Sequence, residues 1–120
     1  MSNSSKIVYS CSGCSSAAQM ANDIAVKLDR EKIAEMSCIA GVGGNVPSLV
    51  RKAKKASHII AIDGCPLHCV VQCLKAHHLE PTIHFDLSAL GVKKELHEDY
   101  CLNEFEEAYD HCVSEVESNL

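Results

Sequence analysis

The sequence predicts an α/β fold: one domain built on an open, mostly parallel sheet of about four strands, with helices on both faces. Three observations predict it. Runs with strand character alternate with runs of helical spacing through most of the chain. The stretch Ile59-Ile60-Ala61-Ile62 is apolar without alternation and rich in β-branched residues, as a strand buried on both faces requires. A chain of 120 residues, 47% of them apolar, can bury one core but is too short for two ordinary domains.

The elements follow in order. Residues 1–5 are small and polar and are expected to form a flexible N-terminus, with residues 6–120 as a single cysteine-rich metal-binding domain. Ile7, Val8 and Tyr9 form a first strand, and Cys11-Ser12-Gly13-Cys14 turns into a helix. That helix carries Ala17, Met20, Ala21, Ile24, Ala25 and Leu28 at helical spacing and stops near Asp29-Arg30. A less regular second strand runs from Ile33 to Cys38-Ile39, followed by the glycine-rich turn Gly41 to Asn45. A helix from Val46 to Ala56 turns Val46, Leu49, Val50 and Ala53 inwards and its lysines outwards.

The strand Ile59 to Ile62 ends in the turn Asp63-Gly64, after which a helix is expected to open at Pro66 with Cys65 as its N-cap. Cys65, Cys69 and Cys73 would then line one stripe of that helix. Pro81 ends it, and Thr82 to Phe85 form a fourth strand. Residues 86–100 carry no decisive pattern. The last helix has Asn103 as its expected N-cap, with Phe105, Ala108, Tyr109, Cys112, Val113 and Val116 on its apolar face. With right-handed crossovers, strand order 2-1-3-4 makes the fold Rossmann-like and places a ligand crevice between the first and third strands.

Composition narrows the function. A net charge of −5, with only a short lysine cluster at Lys52, Lys54 and Lys55, offers nucleic acid no basic surface, and few aromatic residues are present for base stacking. No window reaches transmembrane length, so no membrane partner is expected. The segment Met1 to Tyr9 lacks a secretion signal's basic start and apolar core, which makes a reducing cytoplasm the expected compartment. There, eight cysteines in so short a chain point to metal binding or redox chemistry and away from structural disulfides.

The predicted topology delivers cysteines to one sheet edge: Cys11 and Cys14 after the first strand, Cys38 after the second, Cys65 and Cys69 after the third. Neighbouring strands lie about 4.8 Å apart and Zn–S bonds are about 2.3 Å, so thiolates from adjacent strand ends can share one ion. Zinc is the leading ion because it accepts four thiolates without redox chemistry; iron or an iron–sulfur cluster ranks behind it.

The segments Tyr9-Ser10-Cys11-Ser12-Gly13, Cys38-Ile39-Ala40-Gly41-Val42-Gly43-Gly44 and Ile62-Asp63-Gly64-Cys65-Pro66-Leu67-His68-Cys69 resemble the signature of the DGC-domain family of zinc-binding proteins. The family takes its name from the tripeptide here at Asp63-Gly64-Cys65. The resemblance spans roughly Lys6 to Lys94 and implies a metal ligand set of Cys11, Cys38, Cys65 and Cys69. Cys14 and Cys73 lie outside that pattern and read equally as packing residues or as additional metal or redox groups.

Asp63 reads either as a hydrogen-bond partner behind the metal ligands or as the cap of the next helix. His68 is expected to turn away from the cysteine stripe, and Cys101 and Cys112 to serve packing. The chain thus reads as a small zinc-binding protein, acting as sensor, metal-transfer factor or scaffold with an unidentified protein partner. The alternative is a thiol-disulfide or sulfur-transfer protein using Cys11 and Cys14 at a helix N-terminus. The pattern leaves open whether the centre is catalytic.

Overall fold

A computed structural model describes residues 5–120. Four parallel strands, β1 (Lys6–Ser10), β2 (Glu35–Met36), β3 (His58–Asp63) and β4 (Ile83–Asp86), form one sheet in the order β2-β1-β3-β4. This is the predicted order. The expected loose terminus lies outside the described residues except for Ser5, whose carbonyl accepts the His58 N–H at 3.0 Å.

Side chains alternate across the sheet and fill two cores. On one face Val8, Ile60, Ile62 and Phe85 pack beneath α1 (Ser16–Arg30) and α5 (Leu102–Asn119). On the other, Ile7, Tyr9, Ile59 and Ala61 pack beneath α2 (Ile39–Gly43), α3 (Pro47–Lys55) and α4 (Cys69–Lys75). The β1–β2 connection therefore crosses on the α1 face, and the later connections cross on the opposite one. That reversal puts the topological switch point between β1 and β3. Tyr100, Phe105 and Tyr109 stack in turn at centroid distances of 5.5 and 6.1 Å, and Lys27 of α1 lies 4.4 Å over the Tyr109 ring.

Several elements differ from expectation for local reasons. The second strand is only two residues long because the Ile33 and Ala34 N–H groups donate to Leu28 O, closing the end of α1. The glycine-rich segment after Cys38 winds into α2, because the Cys38 sulfur accepts the Gly41 N–H at 3.4 Å and starts a helical turn. The helix expected from Pro66 begins only at Cys69. His68 sits in the left-handed region (φ 54°, ψ 50°), and its N–H donates to Cys65 O at 3.2 Å, so Cys65 to His68 form a separate turn. In α5, Cys101 replaces Asn103 at the cap position. Cys112 is buried as expected, whereas Cys101 is exposed.

The undecided stretch after β4 is a short 3₁₀ turn, Leu87–Leu90, followed by an extended strap. Ser16, at the start of α1, fastens it: its N–H donates to Glu95 O at 2.8 Å and its hydroxyl accepts the Glu95 N–H at 3.0 Å. The strap's His97 N–H donates to Cys14 O.

One contact ties the two sides of the switch point together. A Cβ on Gly64 would lie 2.6 Å from the carbonyl carbon and oxygen of Ala17, so the end of β3 meets the first turn of α1 backbone to backbone. Gly64→Ala is expected to cost about 1–3 kcal/mol, measured as a lowered urea midpoint; an unchanged midpoint would show that α1 yields freely.

Candidate metal centre

The C-terminal edge of the sheet gathers the cysteines around the β1–β3 switch point. Cys11 follows β1, and its N–H donates to Ile62 O at 3.1 Å, extending the β1–β3 ladder by one residue. Its sulfur accepts the Gly64 N–H at 3.2 Å. The first strand's cysteine is thus held against the Asp-Gly-Cys turn of the third.

Asp63, only 1% exposed, sits behind this turn. One carboxylate oxygen accepts the Val70 N–H at 2.9 Å, and the other accepts from His84 Nε2 at 2.8 Å. It therefore fills the capping role considered for it, holding the first turn of α4, and its second oxygen binds His84 and no cysteine. The cap sets where α4 starts, and α4 starts with Cys69.

Cys65 is half-buried, with Lys94 Nζ of the strap 3.5 Å from its sulfur. Cys69 is exposed. Burial pushes the Cys11 thiol up to about 11; the Gly64 N–H opposes this rise, while Asp63, Cys69 and Cys65 add to it. The charges of Asp63, Cys69 and Cys65 thus each bear on Cys11.

The remaining cysteines flank this group. Cys73 lies one turn along α4 from Cys69, and its sulfur is 3.0 Å from where a Cβ on Gly43 of α2 would stand. Its thiol is raised by burial, then by Cys69 and Asp63. Cys38 is exposed and is engaged as the cap of α2. Cys14 is exposed and precedes the cap residue of α1, Ser15, so neither it nor Cys11 lies within the helix.

Zinc chemistry asks for deprotonated sulfur with hydrogen-bond donors or positive charge around it. Cys11 and Cys38 each accept a backbone N–H, Cys65 faces a lysine, and all eight thiols are free. The donor chemistry fits a thiophilic cation. Among the described residues, however, no three His, Cys, Asp or Glu side chains stand in an arrangement that holds a metal ion.

The partners of two histidines at this edge carried no sequence signal. His84 reaches Asp63 across the β3–β4 pair, and His68 Nε2 donates to Asp86 at 2.7 Å and is not simply turned to solvent. Their partners lie 21 and 18 residues away, separations with no helical or strand period to betray them.

The sequence model of the DGC domain matches residues 7–112. The chain belongs to the DGC-domain family. It is also 60% identical over 93 residues to the Anaerobic and virulence modulator AnvM of Pseudomonas aeruginosa, across 78% of this chain and 71% of that protein. No solved structure matches it. Among the described residues, no helix is long and apolar enough to cross a membrane.

In metal-free protein the alkylation rate at Cys11 is expected to climb about tenfold per pH unit from neutrality towards its pKa of about 11. Site-resolved mass spectrometry after iodoacetamide treatment reads this; a plateau near pH 8 would contradict the buried, carboxylate-flanked thiol.

Proposed function

We propose that this DGC-domain protein binds one zinc ion through cysteine thiolates at the C-terminal edge of its sheet. Cys11, Cys65 and Cys69 form the nucleus, and Cys38 is the fourth ligand. The observation that carries this reading is the Cys11 sulfur seated on the Gly64 N–H, which brings the cysteines of the first and third strands into one electrostatic group. Bound zinc would replace the protons of these thiols and neutralise the Cys11 thiolate, which burial otherwise disfavours. Lys94 would offset part of the remaining negative charge beside Cys65.

The rival reading, disulfide exchange through Cys11 and Cys14, asks for a thiol with a depressed pKa. The raised Cys11 thiol weighs against it. Four protein thiolates leave no coordination position for water, so a regulatory or carrier role suits the centre better than hydrolysis. A relative named as a modulator supports that preference. Oxidation of two ligand thiolates to a disulfide by a peroxide, which takes the two electrons and is reduced to water or an alcohol, would release the metal and give such a protein a way to report redox state, to a partner protein or by metal transfer.

Elemental analysis of anaerobically purified protein is expected to find about one zinc per chain, with thiols protected until unfolding. Cys65→Ser is expected to lose most of the metal. Full occupancy in that variant, or a metal-free parent protein, would overturn the assignment.

A further inference from the structure

The parallel register pairs Asp63 of β3 with Asp86 of β4, so two acidic residues stand side by side at neighbouring strand ends. Each is answered by a histidine from the other side. His84 lies on β4 and donates to Asp63 of β3, while His68 lies in the turn after β3 and donates to Asp86 of β4. The two imidazoles meet edge to face, with centroids 4.7 Å apart and planes at 88°. The pairs are crossed and interlocked.

Their position relative to the cysteines gives them a task. Asp63 is the last residue of β3 and His68 the last before α4, so between them they enclose the turn that carries Cys65 and delivers Cys69. Both ends of that turn are therefore tied to β4. His68 holds a left-handed backbone that is unfavourable for a residue with a side chain, a conformation that persists only where its surroundings over-determine it. Its bond to Asp86, itself fixed by the Ser88 N–H at 2.9 Å, supplies that restraint. Asp63 needs only one oxygen to cap α4 through Val70; the second is committed to His84.

We infer that the crossed pairs Asp63–His84 and His68–Asp86 form a clamp that sets the separation of Cys65 and Cys69, with His84 and His68 as positioning residues. For its functional consequence this inference rests on the thiolate-centre reading; the clamp itself does not. Neither histidine needs to touch the metal. Removing His84 leaves a buried carboxylate with an empty oxygen, which then competes for other donors and loosens its hold on Val70 and so on Cys69. Partners that stand behind metal ligands in this way are commonly worth about 10–100-fold in affinity.

The test uses the full chain and two readouts: zinc affinity by chelator competition under anaerobic conditions, and hydrogen exchange of the Val70 amide in metal-free protein. His84→Leu is expected to weaken zinc binding about 10–100-fold and to speed Val70 exchange about tenfold or more. His84→Gln, which keeps a donor, is expected to hold both within about threefold. Val116→Ala, buried in α5 away from the clamp, controls for general loss of stability: it should lower the Tm while sparing both readouts. Should His84→Leu not fold, His68→Asn takes its place, since asparagine tolerates the left-handed backbone but gives up the imidazole; it should weaken zinc binding and speed exchange likewise. Val70 exchange within twofold of the parent in the folded variant, or equal acceleration in Val116→Ala, would overturn the clamp. If the parent binds no zinc while His84→Leu still speeds exchange, the thiolate reading falls and the clamp stands.

Discussion

The close approach of Gly64 to the first turn of α1 is the constraint from which the edge of this sheet is built. Backbone packed on backbone leaves no space for a side chain, so the glycine of the Asp-Gly-Cys tripeptide is required by contact and not by an unusual φ angle. The same residue offers its N–H to the Cys11 sulfur. On either side of it Asp63 turns inwards to cap α4, and Cys65 turns outwards beneath Lys94. Three adjacent residues thus have three different tasks: one holds the next helix, one admits the previous helix, and one presents sulfur.

The start of α1 contributes as much to this edge as the tripeptide does. Ala17 supplies the backbone surface on which Gly64 rests, Ser15 accepts the Ala18 N–H at 3.0 Å as the helix cap, and Ser16 ties down the strap that brings Lys94 to Cys65. Small residues at these positions follow from the approach itself. The thiols of Cys11 and Cys65 therefore share a setting made by one helix, one strand end and one returning strap.

Much of this was legible in the sequence, and what was not has definite physical causes. The apolar run of β3, the helical spacing in α1 and α5 and the alternation of elements sufficed for strand order 2-1-3-4, and with it the delivery of Cys11, Cys38 and Cys65 to one edge. Local signals misled where a tertiary contact outbid them. Pro66 looks like the first residue of a helix, yet Asp63 caps the chain only at Val70, so Pro66 and Leu67 remain in a turn. Ile33 and Ala34 look like strand residues, yet α1 takes their N–H groups. The partners of His68 and His84 gave no signal because each histidine answers a carboxylate brought near only by the β3–β4 register.

The all-parallel sheet has a consequence for how this protein comes into being. No two adjacent strands are joined by a hairpin, and β1 pairs with β3 across more than forty intervening residues (Ile7 with Ile59). During synthesis Cys11 and Cys14 leave the ribosome well before Cys65 and Cys69 do. The contact that half-buries Cys11 cannot form until β3 has emerged and docked on β1. Newly made chains therefore pass through an interval in which sulfur-rich segments stand open to oxidants and stray metal ions, and the speed of β1–β3 pairing determines how long that interval lasts.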